Sequence, residues 1–534
     1  MYQRTFFTWV IGLLLSVTLS AQTGIWQWSV PVRNFSSQSK HPNSRAYLWI
    51  PEHCVQVKAI LIAQHNMEEI SILEDSMFRQ RMSELDVAQV WVCPSFNHGF
   101  DFRDGAWETL DGLLADLAAV SGYQEVATAP LIALGHSAAA SWPYYLAAYQ
   151  PERTLACISV SGQWPYHRDE WLCPDSWGER HLNTIPCLET MGEYESAHTW
   201  SNEGLKERSE HPLLPLSMLA CPAEGHFAYT SEKAQYIALY IRKALQYGHV
   251  DPTRTGWLSE RWKVDEEPSV APAPVASYSG NPREAFWFFD REMVEATQAY
   301  QARHRRKLPQ LVSVAQEGKV VRQRNTHLQV HPAFCPEEDG LTFQLTPVFL
   351  DTVPGESPRL AKWTGLPVGS SIGHAKGSPS IAMITGPAVL RDSVTFRVAW
   401  NRGTLWTDEK ADIVFAVTHP GDNSYKPAVQ QAQLTIPVRY QEGEVQHISF
   451  TELPDIQRGT CSIPLFAEAS SGLPVGFYVE SGPAYVENNR LVFTPIPPRT
   501  SYPIAVTVIA WQYGRKEPTP IQTAEPVRRT FYIK

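Results

Sequence analysis

The stretch Leu131-Ile132-Ala133-Leu134-Gly135-His136-Ser137-Ala138-Ala139-Ala140 admits few folds. Its apolar run reads as a buried strand, and the small residues after Ser137 read as the start of a helix packed close to that strand. A sharp strand-to-helix turn through a serine would present the hydroxyl at the end of a sheet. Such a turn belongs in a sheet with helices on both faces, so the flanking sequence should alternate the two kinds of element.

Residues 46–247 do alternate. Strands are expected at 58–63, 88–93, 155–160 and 184–191, and helices at 77–85, 106–120 and 234–245. The second of these helices places Trp107, Leu110, Leu113, Leu114 and Leu117 on one side. This pattern predicts the α/β class, with a doubly wound, mostly parallel sheet. Cys93, Cys157 and Cys187 lie in or beside the apolar runs and read as small core hydrophobes. No Cys-x-x-Cys pair suggests a zinc ribbon or a thioredoxin-type site.

The composition then shifts. Ser269-Val270-Ala271-Pro272-Ala273-Pro274-Val275 reads as an extended linker. Residues 283–303 read as a helix carrying the aromatic cluster Phe286, Trp287, Phe288 and Phe289, expected to pack on the preceding unit. Beyond Pro309 the pattern becomes all-β, with short runs punctuated by Gly, Pro, Asn and Asp, as in β-sandwiches. The segments Ser471-Gly472-Leu473-Pro474-Val475 and Ser481-Gly482-Pro483-Ala484 resemble bacterial immunoglobulin-like modules appended to exported enzymes.

At the N-terminus, Arg4 precedes an apolar run from Phe6 to Leu19 that ends in Ser20-Ala21-Gln22, the pattern of a secretory signal peptide. The expected organisation is therefore a signal at 1–21, an α/β unit at 22–255, a linker and helix at 256–308, and β-sandwich units at 309–445 and 446–534. No membrane span is expected after removal of the signal. A formal net charge of −10 argues against nucleic acid as a partner.

A serine nucleophile needs a base, and the base an orienting acid. Ala223-Glu224-Gly225-His226-Phe227 stands just before the final helix of the α/β unit and offers His226 as base. Ile185-Pro186-Cys187-Leu188-Glu189-Thr190-Met191-Gly192-Glu193-Tyr194-Glu195 resembles the strand that ends in Gly-x-x-Asp in the α/β-hydrolase superfamily, which implies Glu195 as the acid, with Glu193 as its rival. With the serine turn, these motifs resemble the α/β-hydrolase esterases over residues 45–250. Ala139 stands where that family's signature usually has Gly, and Glu195 where Asp is commoner.

The resemblance implies a Ser137–His226–Glu195 triad acting through an acyl-enzyme. It also implies an oxyanion hole formed by backbone N–H groups of Ala138 and of Asn66 or Met67, in the loop Gln64-His65-Asn66-Met67. His65 is a candidate substrate contact. Residues 163–183 occupy the place of a cap, and their Trp164, Tyr166 and Trp171 read either as sugar contacts or as the cap's own small core. No metal or dinucleotide motif is present, and no cofactor is expected.

The leading expectation is thus an exported esterase acting on an ester-decorated carbohydrate. A serine peptidase of the prolyl-oligopeptidase kind is a second reading, although no propeller-like repeat accompanies it. A non-catalytic adhesion protein on a hydrolase scaffold is a third.

Overall fold

The computed structural model describes residues 25–33, 44–166, 181–323, 329–355 and 358–534. The expected signal segment lies outside the described residues, as does Trp171.

Eight strands form the central sheet: β1 (Trp28–Pro31), β2 (Arg45–Trp49), β3 (Ala59–Gln64), β4 (Val87–Cys93), β5 (Leu131–His136), β6 (Thr154–Val160), β7 (Cys187–Gly192) and β8 (Leu216–Cys221). Their spatial order is β1-β2-β4-β3-β5-β6-β7-β8. β1, β2 and β4 pair antiparallel, and every neighbour from β4 through β8 pairs parallel. Strands β3 to β5 and β7 to β8 are buried along their whole length. Such burial on both faces is why they are mostly apolar and do not alternate apolar with polar residues.

The helices are α1 (Glu69–Leu73), α2 (Ser76–Glu84), α3 (Ala106–Ser121), α4 (Trp142–Tyr149), α5 (Ala197–Glu210), α6 (Ser231–Tyr247) and α7 (Arg291–Gln301). Local sequence sets several of their ends. Asp75, Thr230 and Asp290 cap α2, α6 and α7 by accepting the N–H groups of Phe78, Lys233 and Met293. The sheet, the helices and the serine turn after β5 together are an α/β-hydrolase fold.

Two expectations for residues 256–308 are corrected. The aromatic cluster does not lie on a helix, because Ala285–Phe288 is a strand and the helix begins only at Arg291. An unbroken apolar run fits a strand buried on both faces, and this one, with Phe286, Trp287 and Phe288 after Ala285, is buried throughout. The Pro-containing stretch is not a free linker either: Ala273–Pro274 pairs with Trp257–Leu258 at a sheet edge, where proline's missing N–H is tolerated.

The C-terminal part consists of small antiparallel sheets compatible with β-sandwich domains. Neither region hangs free of the hydrolase. Phe450, Val506 and Phe531 belong to the same core as the central sheet, and Ser501 N donates to Ser121 O at the end of α3 (3.0 Å). Strands Ser380–Thr385, Lys410–His419 and Ala428–Pro437 of the middle β-region form one sheet. It meets the hydrolase through an apolar cluster of Ile384, Val414 and Ala416 with Phe227, joined by Met67 and Val429.

The serine turn is packed without slack. A Cβ at Gly135 would lie 1.9 Å from Ala139 O, and one at Gly162 would lie 1.9 Å from the Ala140 Cβ. Gly135→Ala should therefore destabilise the fold by about 3 kcal/mol, read from the urea midpoint. An unchanged midpoint would mean that the turn has room to relax.

Candidate active site

Ser137 adopts a left-handed backbone (φ +54°) between the end of β5 and a short 3-10 turn over Ser137–Ala139. That conformation is unfavourable for a residue with a Cβ and persists only where the surroundings enforce it. Here it lifts the hydroxyl toward the loop before α6. Ser137 Oγ lies 2.7 Å from His226 Nε2, and His226 Nδ1 is hydrogen-bonded to Glu195 Oε1. A carboxylate can only accept, so Nδ1 carries the proton and the Nε2 lone pair receives the serine hydroxyl.

Glu193, the rival acid, is turned elsewhere. It accepts Ala223 N at 2.8 Å and pairs with Lys426 Nζ at 2.9 Å. The acid and histidine loops also touch directly, since Tyr194 N donates to Glu224 O and a Cβ at Gly192 would meet that oxygen at 2.4 Å.

Electrostatics act on the pair in opposite senses. Burial lowers the His226 pKa, but the Glu195 charge and hydrogen bond outweigh it and set the net shift above 6.5. Burial raises the Glu195 carboxyl, and the neighbouring His226 more than reverses this, leaving it below the ordinary 4.5. The His226 and Glu195 side chains remain 19% and 16% exposed, so the site is reachable from solvent.

Behind His226 lies a second layer that sequence reading missed. His136 Nε2 donates to the His226 carbonyl at 2.8 Å, and burial holds the His136 imidazole neutral. Lys233 of α6 is buried with its Nζ 3.2 Å from Glu224 and 3.7 Å from Glu68. It also donates to the Ala228 carbonyl at 2.6 Å, while Tyr300 of α7 donates to Glu224. Burial disfavours the charge on this lysine, but the neighbouring Glu68 and Glu224 outweigh it and hold its pKa above the ordinary value. The histidine loop is thereby tied to α6, α7 and the loop after β3.

The oxyanion expectation needs correction. Asn66 N and Met67 N both donate to Glu69 Oε2, at 3.1 and 2.8 Å, so neither N–H faces the serine. Glu69 is buried, and its other oxygen accepts His136 N at 2.8 Å. A carboxylate removed from water draws in whatever donors are nearest, and here those are the donors assigned to the oxyanion. The signal was legible: Asn66-x-x-Glu69 has the spacing at which a glutamate reaches back to an N-terminal backbone N–H. Asn66 instead contributes its side chain, whose Nδ2 donates to His136 O at 2.9 Å. Ala138 follows the serine in the first turn, where an N–H has no intrahelical acceptor.

The aromatic contacts are also corrected. Trp164 is fully buried, stacks on Phe286 with ring centroids 5.7 Å apart, and donates from Nε1 to Trp200 O. It is core, not a sugar platform. Tyr166 stacks on His211 and accepts Leu182 N. His211 terminates α5, about 20 Å along that helix from its start beside Glu195. His65 packs edge-on to Trp91 and is one of the residues lining a cleft.

No family model and no curated protein matches the chain. Among solved structures it is similar to Est1E from Butyrivibrio proteoclasticus, at 14% identity and a TM-score of 0.27 over 41% of this chain and 100% of that one. It is also similar to an S-formylglutathione hydrolase from Staphylococcus aureus, at 11% identity and a TM-score of 0.29 over 41% and 97%. A dienelactone hydrolase from Anabaena variabilis aligns at 14% identity and a TM-score of 0.30 over 42% and 98%.

Glu69→Ala would leave three backbone donors unsatisfied and release the loop after β3 from the serine turn. A loss of about 3 kcal/mol in unfolding free energy is expected from urea titration. A loss below about 0.5 kcal/mol would show that the clamp contributes little.

Proposed function

We propose that the protein is an exported serine hydrolase that cleaves carboxylic esters on a decorated polysaccharide through a Ser137–His226–Glu195 triad. The single observation that carries this reading is the hydrogen-bonded chain from Ser137 Oγ through His226 to Glu195. The left-handed serine supports it, because strain of this kind persists where it serves a site.

In the proposed mechanism His226 Nε2 removes the Ser137 proton as Oγ attacks the ester carbonyl. The tetrahedral oxyanion draws on the Ala138 N–H. Glu195 holds the proton on Nδ1 and stabilises the imidazolium that forms. Collapse breaks the carbon–oxygen bond to the alcohol, which leaves with the proton from Nε2. Water, deprotonated by the same nitrogen, then attacks the acyl-serine, releasing the acid and restoring the hydroxyl.

Export rests on the apolar run from Phe6 to Leu19 after Arg4. The last β-unit is read as immunoglobulin-like, supported by the antiparallel set Gly476–Ser481, Ile504–Trp511 and Val527–Ile533. Among the described residues no helix is long and apolar enough to cross a membrane.

Ser137→Ala should lower kcat on a short-chain aryl ester by about a thousandfold or more without loss of folding. Retained turnover would reject Ser137 as the nucleophile. The base form of His226 is the active one, and its pKa is raised, so kcat/KM should rise with pH through an inflection above 6.5. Glu195→Gln removes the charge that holds the pKa up and leaves burial, so that inflection should move to lower pH as kcat falls. An inflection that stays in place would assign the acid role to another group.

A further inference from the structure

The middle β-region does more than cover the hydrolase. Between them runs a cleft of about 490 Å³, within the range of about 300–1,000 Å³ typical of small-molecule sites. Its lining includes His65, Asn66 and Met67, and the Asn66 side chain bonds the backbone of the residue preceding Ser137. Glu74 lies on the hydrolase wall, and Thr385, Arg402, Lys410 and Asp412 on the β-region wall.

The walls are pinned to each other. Ser71 Oγ donates to Ile384 O at 2.6 Å, and the Tyr47 hydroxyl donates to Arg402 O at 3.2 Å. The turn that carries Arg402 is locked as well: Asn401 N donates to Thr404 Oγ1, Gly403 N to Asn401 Oδ1, and Asn401 Nδ2 to Gly386 O. A preorganised wall of this kind loses little entropy when a ligand binds.

We propose that this cleft receives the alcohol half of the ester, and that this half is an uncharged saccharide. The inference rests on the ester-hydrolase reading and adds where the saccharide is held and that it carries no charge. Charges of both signs line the cleft, Arg402 and Lys410 against Glu74, Asp408 and Asp412. A lining without positive excess gives a polyanion no electrostatic gain. The mixture of donors and acceptors instead matches sugar hydroxyls, each of which does both. Arg402, carried on the locked turn, places its cationic side chain in this lining.

The test uses the purified full chain and two probes, p-nitrophenyl acetate and an O-acetylated xylo-oligosaccharide. Thr385→Trp fills the cleft, and Arg402→Met removes the charge from its lining while roughly keeping the side chain's length. Both variants should keep kcat/KM on the aryl ester within about twofold of wild type and lose about tenfold or more on the oligosaccharide, mainly through KM. Equal losses on both probes, or none on the oligosaccharide, overturn the proposal. So does a wild-type protein that turns over the aryl ester but leaves the oligosaccharide intact. A wild-type protein inert toward both probes rejects the hydrolase reading itself.

Discussion

One imidazole joins three distant parts of the chain. His226 meets a serine 89 positions earlier at Nε2 and a glutamate 31 positions earlier at Nδ1. Each partner arrives at the carboxyl end of a parallel strand, where an α/β sheet gathers its loops. The imidazole is in turn held from behind by His136 at its own backbone carbonyl. Misplacing this loop would break both bonds of the site at once, which explains why a buried lysine with two carboxylate partners is built beneath it.

The clamp at Glu69 belongs to the same logic. By accepting N–H groups from Asn66, Met67 and His136, its carboxylate fastens the loop after β3 to the strand end that carries the serine. The middle β-region adds a third support. Lys426 pairs with Glu193, and Trp363 stacks on Tyr194 with ring centroids 4.6 Å apart, so the loop bearing Glu195 is held from outside the hydrolase. The β-region is thus part of the frame that holds this loop.

The serine turn, the acid strand and the histidine loop were legible in sequence because each is a local pattern: an apolar run, a small residue, a functional residue at its end. The alternation that announces the α/β sheet was legible for the same reason. Partners that meet only through tertiary structure were not. Lys426 lies 233 positions from Glu193, and no spacing rule connects them. The aromatic residues misled for a physical reason as well, since a tryptophan suits a sugar face and a protein core equally. Trp164 went to the core because Gly204 of α5 leaves it room: a Cβ there would lie 2.7 Å from its ring. The cluster at 286–289 misled because consecutive apolar residues fit either a buried helix or a strand buried on both faces.

The central claim is that Ser137 is an activated nucleophile, and covalent trapping reads this without knowledge of the substrate. Diisopropyl fluorophosphate should add one phosphoryl group per folded chain, mapped by peptide mass spectrometry to Ser137, and none after denaturation, because activation depends on the assembled His226 and Glu195. A folded protein that stays unmodified, or one modified at another residue, would contradict the account.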